Sequence, residues 1–145
     1  MSIKNIRGAD ILFKKLDNIS DAGNYVATMN KLCRKVERTA KEFCPRKTGY
    51  LKRSITHEVD VSGHDITGVV GTNTEYAPYV EFGTGKFATE GNGRKTPWAY
   101  TDEKTGELIW TAGQKPQPFL HPALDAHRDE IRKELGKAVR TAAKE

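Results

Sequence analysis

The sequence predicts an α+β domain: long helices packed on one face of an antiparallel sheet built from two hairpins, with a long flexible loop between them. Three observations carry that expectation. Residues 22–44 hold apolar side chains at helical spacing, residues 55–71 alternate as a hairpin should, and residues 124–142 return to the helical period. The order helix, hairpin, loop, hairpin, helix segregates the helices from the strands, which is the pattern of an α+β fold.

In chain order, residues 9–19 (ADILFKKLDNI) form a short helix candidate within an N-terminal segment 1–20, with Asp10 as its cap. Ser20 or Asp21 starts the next helix. Its stripe is Ala22, Tyr25, Val26, Met29, Leu32, Cys33, Val36, Ala40, Phe43 and Cys44, and Pro45 ends it because proline cannot continue the ladder. Its opposite side carries Lys31, Arg34, Lys35, Arg38 and Lys41. Ile55, His57, Val59 and Val61 then point one way and Thr56, Glu58 and Asp60 the other. Ser62-Gly63-His64-Asp65 makes the turn, and Ile66–Gly71 is the returning strand.

Residues 73–97 differ in character. Tyr76–Phe82 is an aromatic cluster the length of one helical turn, with Tyr76, Tyr79 and Phe82 expected to anchor it on the core. A glycine-dense stretch follows, with Gly83, Gly85, Gly91 and Gly93 inside eleven positions. Glycine at that density is costly to order, so 84–97 reads as a flexible loop, functional or disordered, whose candidate residues are Gly85, Lys86, Phe87, Gly91, Gly93, Arg94 and Lys95. Trp98–Thr101 and Leu108–Thr111 make a second, aromatic hairpin. The last helix starts near Pro122, with Asp129 and Lys133 spaced for an ion pair.

The chain has 145 residues, 37% hydrophobic and 30% charged, a net charge of +5 and a mean hydropathy of −0.66. One domain spanning 1–145 accounts for that length. No apolar run reaches the roughly 18 residues of a membrane span, and the N-terminus lacks a signal peptide's apolar region. Residues 1–60 are net +6, residues 61–118 net −2 and residues 119–145 net +1. Cys33 and Cys44 lie about 16 Å apart along one helix, too far to bridge, and suit a reducing cytoplasm.

Catalytic chemistry finds little support. Gly83-Thr84-Gly85-Lys86 lacks the first glycine and the Ser or Thr of a phosphate-binding loop, since Val80 and Phe87 stand there. His57, His64, His121 and His127 are not spaced as metal ligands, and no serine or cysteine has a nucleophile's context. Glu75 and Glu81 are the one carboxylate pair that could be stretched to acid–base work. No cofactor, metal or small-molecule substrate is expected. The cations between Lys31 and Arg53, including Arg46, Lys47 and Lys52, could instead neutralise phosphates. That makes a sequence-independent nucleic-acid-binding protein the alternative reading.

Three segments in order carry a resemblance. Pro45-Arg46-Lys47-Thr48-Gly49-Tyr50-Leu51-Lys52-Arg53-Ser54-Ile55 is similar to a P-x-x-T-G-x-L-[KR]-x-S-I signature. Tyr76-Ala77-Pro78-Tyr79-Val80-Glu81-Phe82-Gly83-Thr84 is similar to Y-A-x-x-x-E-F-G-T, and Pro118-Phe119-Leu120-His121-Pro122-Ala123 to P-F-L-x-P-A. Together, over roughly residues 20–140, they resemble the tail-component family of tailed bacteriophages, the neck or tail-completion proteins. The resemblance implies a non-enzymatic virion structural protein acting in tail completion or head–tail joining. It would form a homo-oligomeric ring, contact other phage neck or tail proteins, use the 84–97 loop as an assembly arm and be made in the host cytoplasm, while the basic face leaves non-specific DNA contact open. Within it Gly49 would take positive φ after Thr48, and Glu81 would fix the following Gly-Thr-Gly backbone.

Overall fold

The computed structural model describes residues 22–46, 49–63 and 65–144. The expected helix over 9–19 with Asp10, the helix start at Ser20 or Asp21, and Lys47, Thr48 and His64 lie outside them. The first described helix, α1, runs Ala22–Phe43, about 33 Å at 1.5 Å per residue. Leu32, Cys33, Val36 and Ala40 form its buried side, and Cys44 is buried just past its end. The short helix α2, Tyr50–Ser54, follows a Gly49 with φ 70°. That left-handed backbone is the one the sequence reserved for glycine.

Strands β1 (Thr56–Ser62) and β2 (Asp65–Gly71) pair antiparallel, with Thr56 opposite Gly71 and Ser62 opposite Asp65. His57, Val59, Val61, Ile66, Gly68 and Val70 share the face toward α1, as the alternation requires. The approach is close at Gly68. A Cβ there would fall 2.4 Å from Cys33 Sγ and 2.9 Å from Met29 Sδ, so the strand crosses the helix where it has no side chain.

Helix α3 spans Ala77–Phe82, a 3-10 turn Gly85–Phe87, and strands β3 (Trp98–Thr101) and β4 (Leu108–Thr111) form the second hairpin. The two hairpins are separate two-stranded sheets rather than parts of one. The β1–β2 pair lies on α1, whereas β3 and β4 have each other as their main contact. The long C-terminal helix α4, Leu120–Lys144, packs along α1. Its buried residues there are Ala123, Ala138 and Ala142, small side chains that let the two backbones come close. The expected Asp129–Lys133 pair does not form among the described residues. Both side chains are exposed, where such a pair gains little, and Asp125 with Arg128 is paired in its place at 2.7 Å.

The core gathers where the elements converge. Val36, Ala40, Cys44, Leu51, Ile55, Ala77, Phe119 and Ala123 make one buried cluster, with Phe119 and Ile55 its fully enclosed large members. Thr39 Oγ1 and His127 Nε2, 2.7 Å apart, join α1 to α4 beside it, as does the Lys35–Glu130 ion pair. Phe119→Ala should destabilise the protein by about 3–5 kcal/mol, and Ile55→Val by about 1 kcal/mol. Urea-unfolding midpoints at unchanged m-value measure both.

Candidate assembly interface

The three sequence motifs meet in that core. Leu51, Ser54 and Ile55 come from the first, Ala77 and Glu81 from the second, Phe119 and Ala123 from the third. The hydroxyls of Ser54, Thr72 and Thr74 hydrogen-bond to one another at 2.6–3.0 Å, and the Thr74 carbonyl accepts from the Ala77 N–H. That chain of bonds carries the end of α2 into the start of α3.

Glu81 makes the second junction. Only 4% exposed, it sits on the inner side of α3 with its carboxylate against the start of α4. Its Oε2 accepts from the N–H of Phe119 at 2.8 Å and of Leu120 at 3.0 Å. Its Oε1 accepts from the N–H of His121 at 2.9 Å and lies 2.7 Å from His121 Nδ1. A helix leaves its first N–H groups without intrahelical acceptors. Here the next residue is Pro122, which has no N–H, so one carboxylate satisfies the whole set. Burial pushes the Glu81 carboxyl up. The three N–H groups and the His121 ring together outweigh it and hold the group below the usual glutamate range. Glu81 thus serves α4, forty residues on, and not the Gly-Thr-Gly backbone beside it. Glu75 is exposed, so the two carboxylates do not share a site.

The aromatic side chains around Glu81 turn outward instead of anchoring the turn. Tyr79 is 59% exposed, and Tyr76 and Phe82 are also open to solvent, Phe82 meeting the edge of the His121 ring at 5.6 Å. On a six-residue helix only one side can face the core, and Ala77, Val80 and Glu81 occupy it.

The glycines beyond α3 serve close backbone packing. The Thr84 N–H donates to the Gln114 carbonyl at 2.9 Å, the Lys86 N–H to the Ala112 carbonyl at 3.1 Å, and the Gln114 N–H to Thr84 Oγ1 at 2.8 Å. A Cβ on Gly85 would lie 2.2 Å from the Ala112 oxygen, and one on Gly113 would lie 2.1 Å from the Thr84 oxygen. A Cβ on Gly93 would meet the Gly85 oxygen, whereas Gly91 has open space around it. Among the loop cations, Lys86 lies over the Phe87 ring at 5.0 Å and Arg94 over the Trp98 ring at 5.7 Å, and Lys95 Nζ donates to the Gly91 carbonyl.

From this base the β3–β4 hairpin extends as an arm. Its register places Ala99, Thr101, Leu108 and Trp110 on one face, with Trp110 69% and Leu108 64% exposed. The exposure of that face was not legible from the chain, because alternation shows which residues share a side and not what covers it.

The basic stripe of α1 divides. Lys35 pairs with Glu130 and Lys41 with Glu37, which also holds His57. Lys31, Arg34 and Arg38 remain exposed along one line. Reactive groups elsewhere are tied up or muted. Burial pushes the Cys33 thiol up, and does the same to Cys44 against the opposing charge of Lys52. A groove of about 590 Å³ between α1, β2 and α4 is lined mainly by apolar groups such as Met29, Leu32, Val36, Ile66 and Leu124, with His121 its one ionisable imidazole.

A family model described as "Bacteriophage HK97-gp10, putative tail-component" matches residues 14–83, which include α1, the first hairpin, α3 and Glu81. The chain is similar to that phage tail-component family over this segment. No curated protein and no solved structure matches the chain.

Glu81→Ala should cost about 3–5 kcal/mol by stranding three donors at the start of α4, that of Phe119 fully buried. Because the folded Glu81 pKa is depressed, its contribution is complete above the unfolded value of about 4.3 and lost as pH falls through the lower folded one. Glu81→Gln should therefore flatten the acid limb of a stability–pH curve recorded by thermal melting. The glycines give a paired comparison. Gly85→Ala should destabilise by about 2–4 kcal/mol and Gly91→Ala by about 1 kcal/mol, both being at positive φ but only Gly85 being enclosed. Differential melting of the two variants tests the contrast.

Proposed function

We propose that this protein is a non-enzymatic structural subunit of a tailed-phage virion, acting in tail completion or head–tail joining as one member of a homo-oligomeric ring. The match of residues 14–83 to the tail-component family supports the phage assignment. The observation that carries the assembly role is the arm: a two-stranded hairpin with Trp110 and Leu108 facing solvent, fixed to a tightly bonded base. An isolated two-stranded hairpin is marginal in water, and large exposed apolar side chains mark contact surfaces. In this reading the motif residues Pro45, Leu51, Ser54, Ala77, Glu81, Gly83, Thr84, Phe119 and Pro122 build the scaffold, and residues 84–111 meet neighbouring subunits in the assembled particle. The chain would be made in the host cytoplasm and reside in the particle.

The alternative, non-specific DNA contact through the Lys31–Arg53 face, draws support from the exposed Lys31, Arg34 and Arg38, with Arg46 and Arg53 exposed nearby. It is weakened by the acidic partners that occupy Lys35 and Lys41.

Mass spectrometry of purified particles should find the protein in stoichiometric amount. A phage lacking its gene should accumulate filled heads and tails that fail to join or tails that fail to complete. Infectious particles free of the protein would overturn the reading.

A further inference from the structure

We propose that the β3–β4 arm of one copy docks on the Lys31–Arg34–Arg38 line of α1 in a second copy, a self-association that rests on reading the chain as an assembly subunit. Two patches on one molecule are unsatisfied in complementary ways. The segment joining β3 to β4, Asp102–Glu107, is net −2, with Glu103 and Glu107 exposed at the tip. The tip keeps a defined shape, because Asp102 Oδ1 accepts from the Lys104 and Thr105 N–H groups at 2.8 and 2.9 Å. Behind it Leu108 and Trp110 stand on one face.

On α1, Lys31, Arg34 and Arg38 lie three and four residues apart and so stack on one side of the helix. They point away from the buried side formed by Leu32, Cys33 and Val36, and no acidic residue pairs with them among the described residues.

The spacings agree. Lys31 to Arg38 covers about 10 Å of helix, and Glu107 to Trp110 about 10 Å of strand. With the acidic tip, Glu103 foremost, on the cations at one end, the Trp110 indole reaches the guanidinium groups at the other, while Glu107 adds its charge from the opposite face of the strand. Arginine stacks favourably on indole, as Arg94 does on Trp98 at the foot of the arm. Because the two patches differ, the contact is head-to-tail, and it closes as a ring when the rotation per subunit allows.

The 145-residue chain is studied by sedimentation velocity at low ionic strength, as three proteins: wild type, Glu103→Lys/Glu107→Lys, and Lys31→Glu/Arg34→Glu/Arg38→Glu. Wild type should associate with rising concentration and dissociate with salt. Each charge-reversed protein alone should associate roughly tenfold more weakly or worse. Mixed one to one, the two should associate well above either alone, since each reversed patch then faces its complement, although contacts onto the reversed helix lack the Trp110–arginine stacking. Misfolded variants could not do this. Trp110→Ala should weaken wild type roughly tenfold or more.

A monomeric wild type, unchanged association of either reversed protein, or a mixture that stays dissociated overturns the interface. Loss of duplex-DNA binding by the helix-reversed protein with self-association unaltered overturns it also, assigning the cations to phosphate. A chain found in virions yet monomeric in solution removes this contact and leaves the tail-component reading standing.

Discussion

Taking a carboxylate out of water costs several kcal/mol unless donors surround it, and Glu81 is placed where a helix offers unsatisfied donors. The N–H groups of Phe119, Leu120 and His121 converge on its two oxygens, and the positive end of the α4 dipole favours the charge. Neither side is stable alone: α3 would bury an unpaired anion, and α4 would begin with stranded donors. The two helices are therefore held in one relative position. Phe119, the residue whose N–H Glu81 caps, is pressed into the core against the α1 and α2 residues. The rest of the architecture is arranged around that junction.

One consequence is a division between base and arm. From Glu81 onward the chain passes directly into the Gly83–Gly85 crossing, where it is hydrogen-bonded to residues 112–114 at the foot of the second hairpin. Forces on the arm reach the core through a short path of backbone bonds. Glycine serves there by omission, since any Cβ at residue 85 or 113 would occupy the place of a carbonyl oxygen. An apolar hairpin on such a mount can present Trp110 at a constant position, which lowers the entropy lost when it meets a partner.

Electrostatics sorts the helical cations in the same spirit. Of the five on the outer side of α1, two are drawn to Glu37 and Glu130, which also engage His57 and His127. Pairs of this exposure add little stability, but they remove charge from the surface selectively. What remains is a three-residue basic line opposite in sign to the hairpin tip.

Much was legible in the chain itself. The stripe from Leu32 to Cys44, the alternation from Thr56 to Val70 and the stop at Pro45 depend on neighbours within a few positions, so the α+β class, the two long helices and both hairpins could be read from periodicity, whereas the short helix Tyr50–Ser54 could not. The resemblance to a phage tail-component family was likewise carried by short local strings. What tertiary structure decided were the relations between positions some thirty to forty residues apart: Glu81 with Phe119, Leu120 and His121, Gly85 with Ala112, the separation of the two hairpins, and the outward turn of Tyr79 and Phe82. A glutamate in a Y-A-x-x-x-E string is the same residue whether it faces solvent or a helix end, and a glycine is the same whether it bends or makes room. Local periodicity selects secondary structure because its energies are local. Burial and donor satisfaction belong to the packed whole, and they alone determine which polar group the fold depends on.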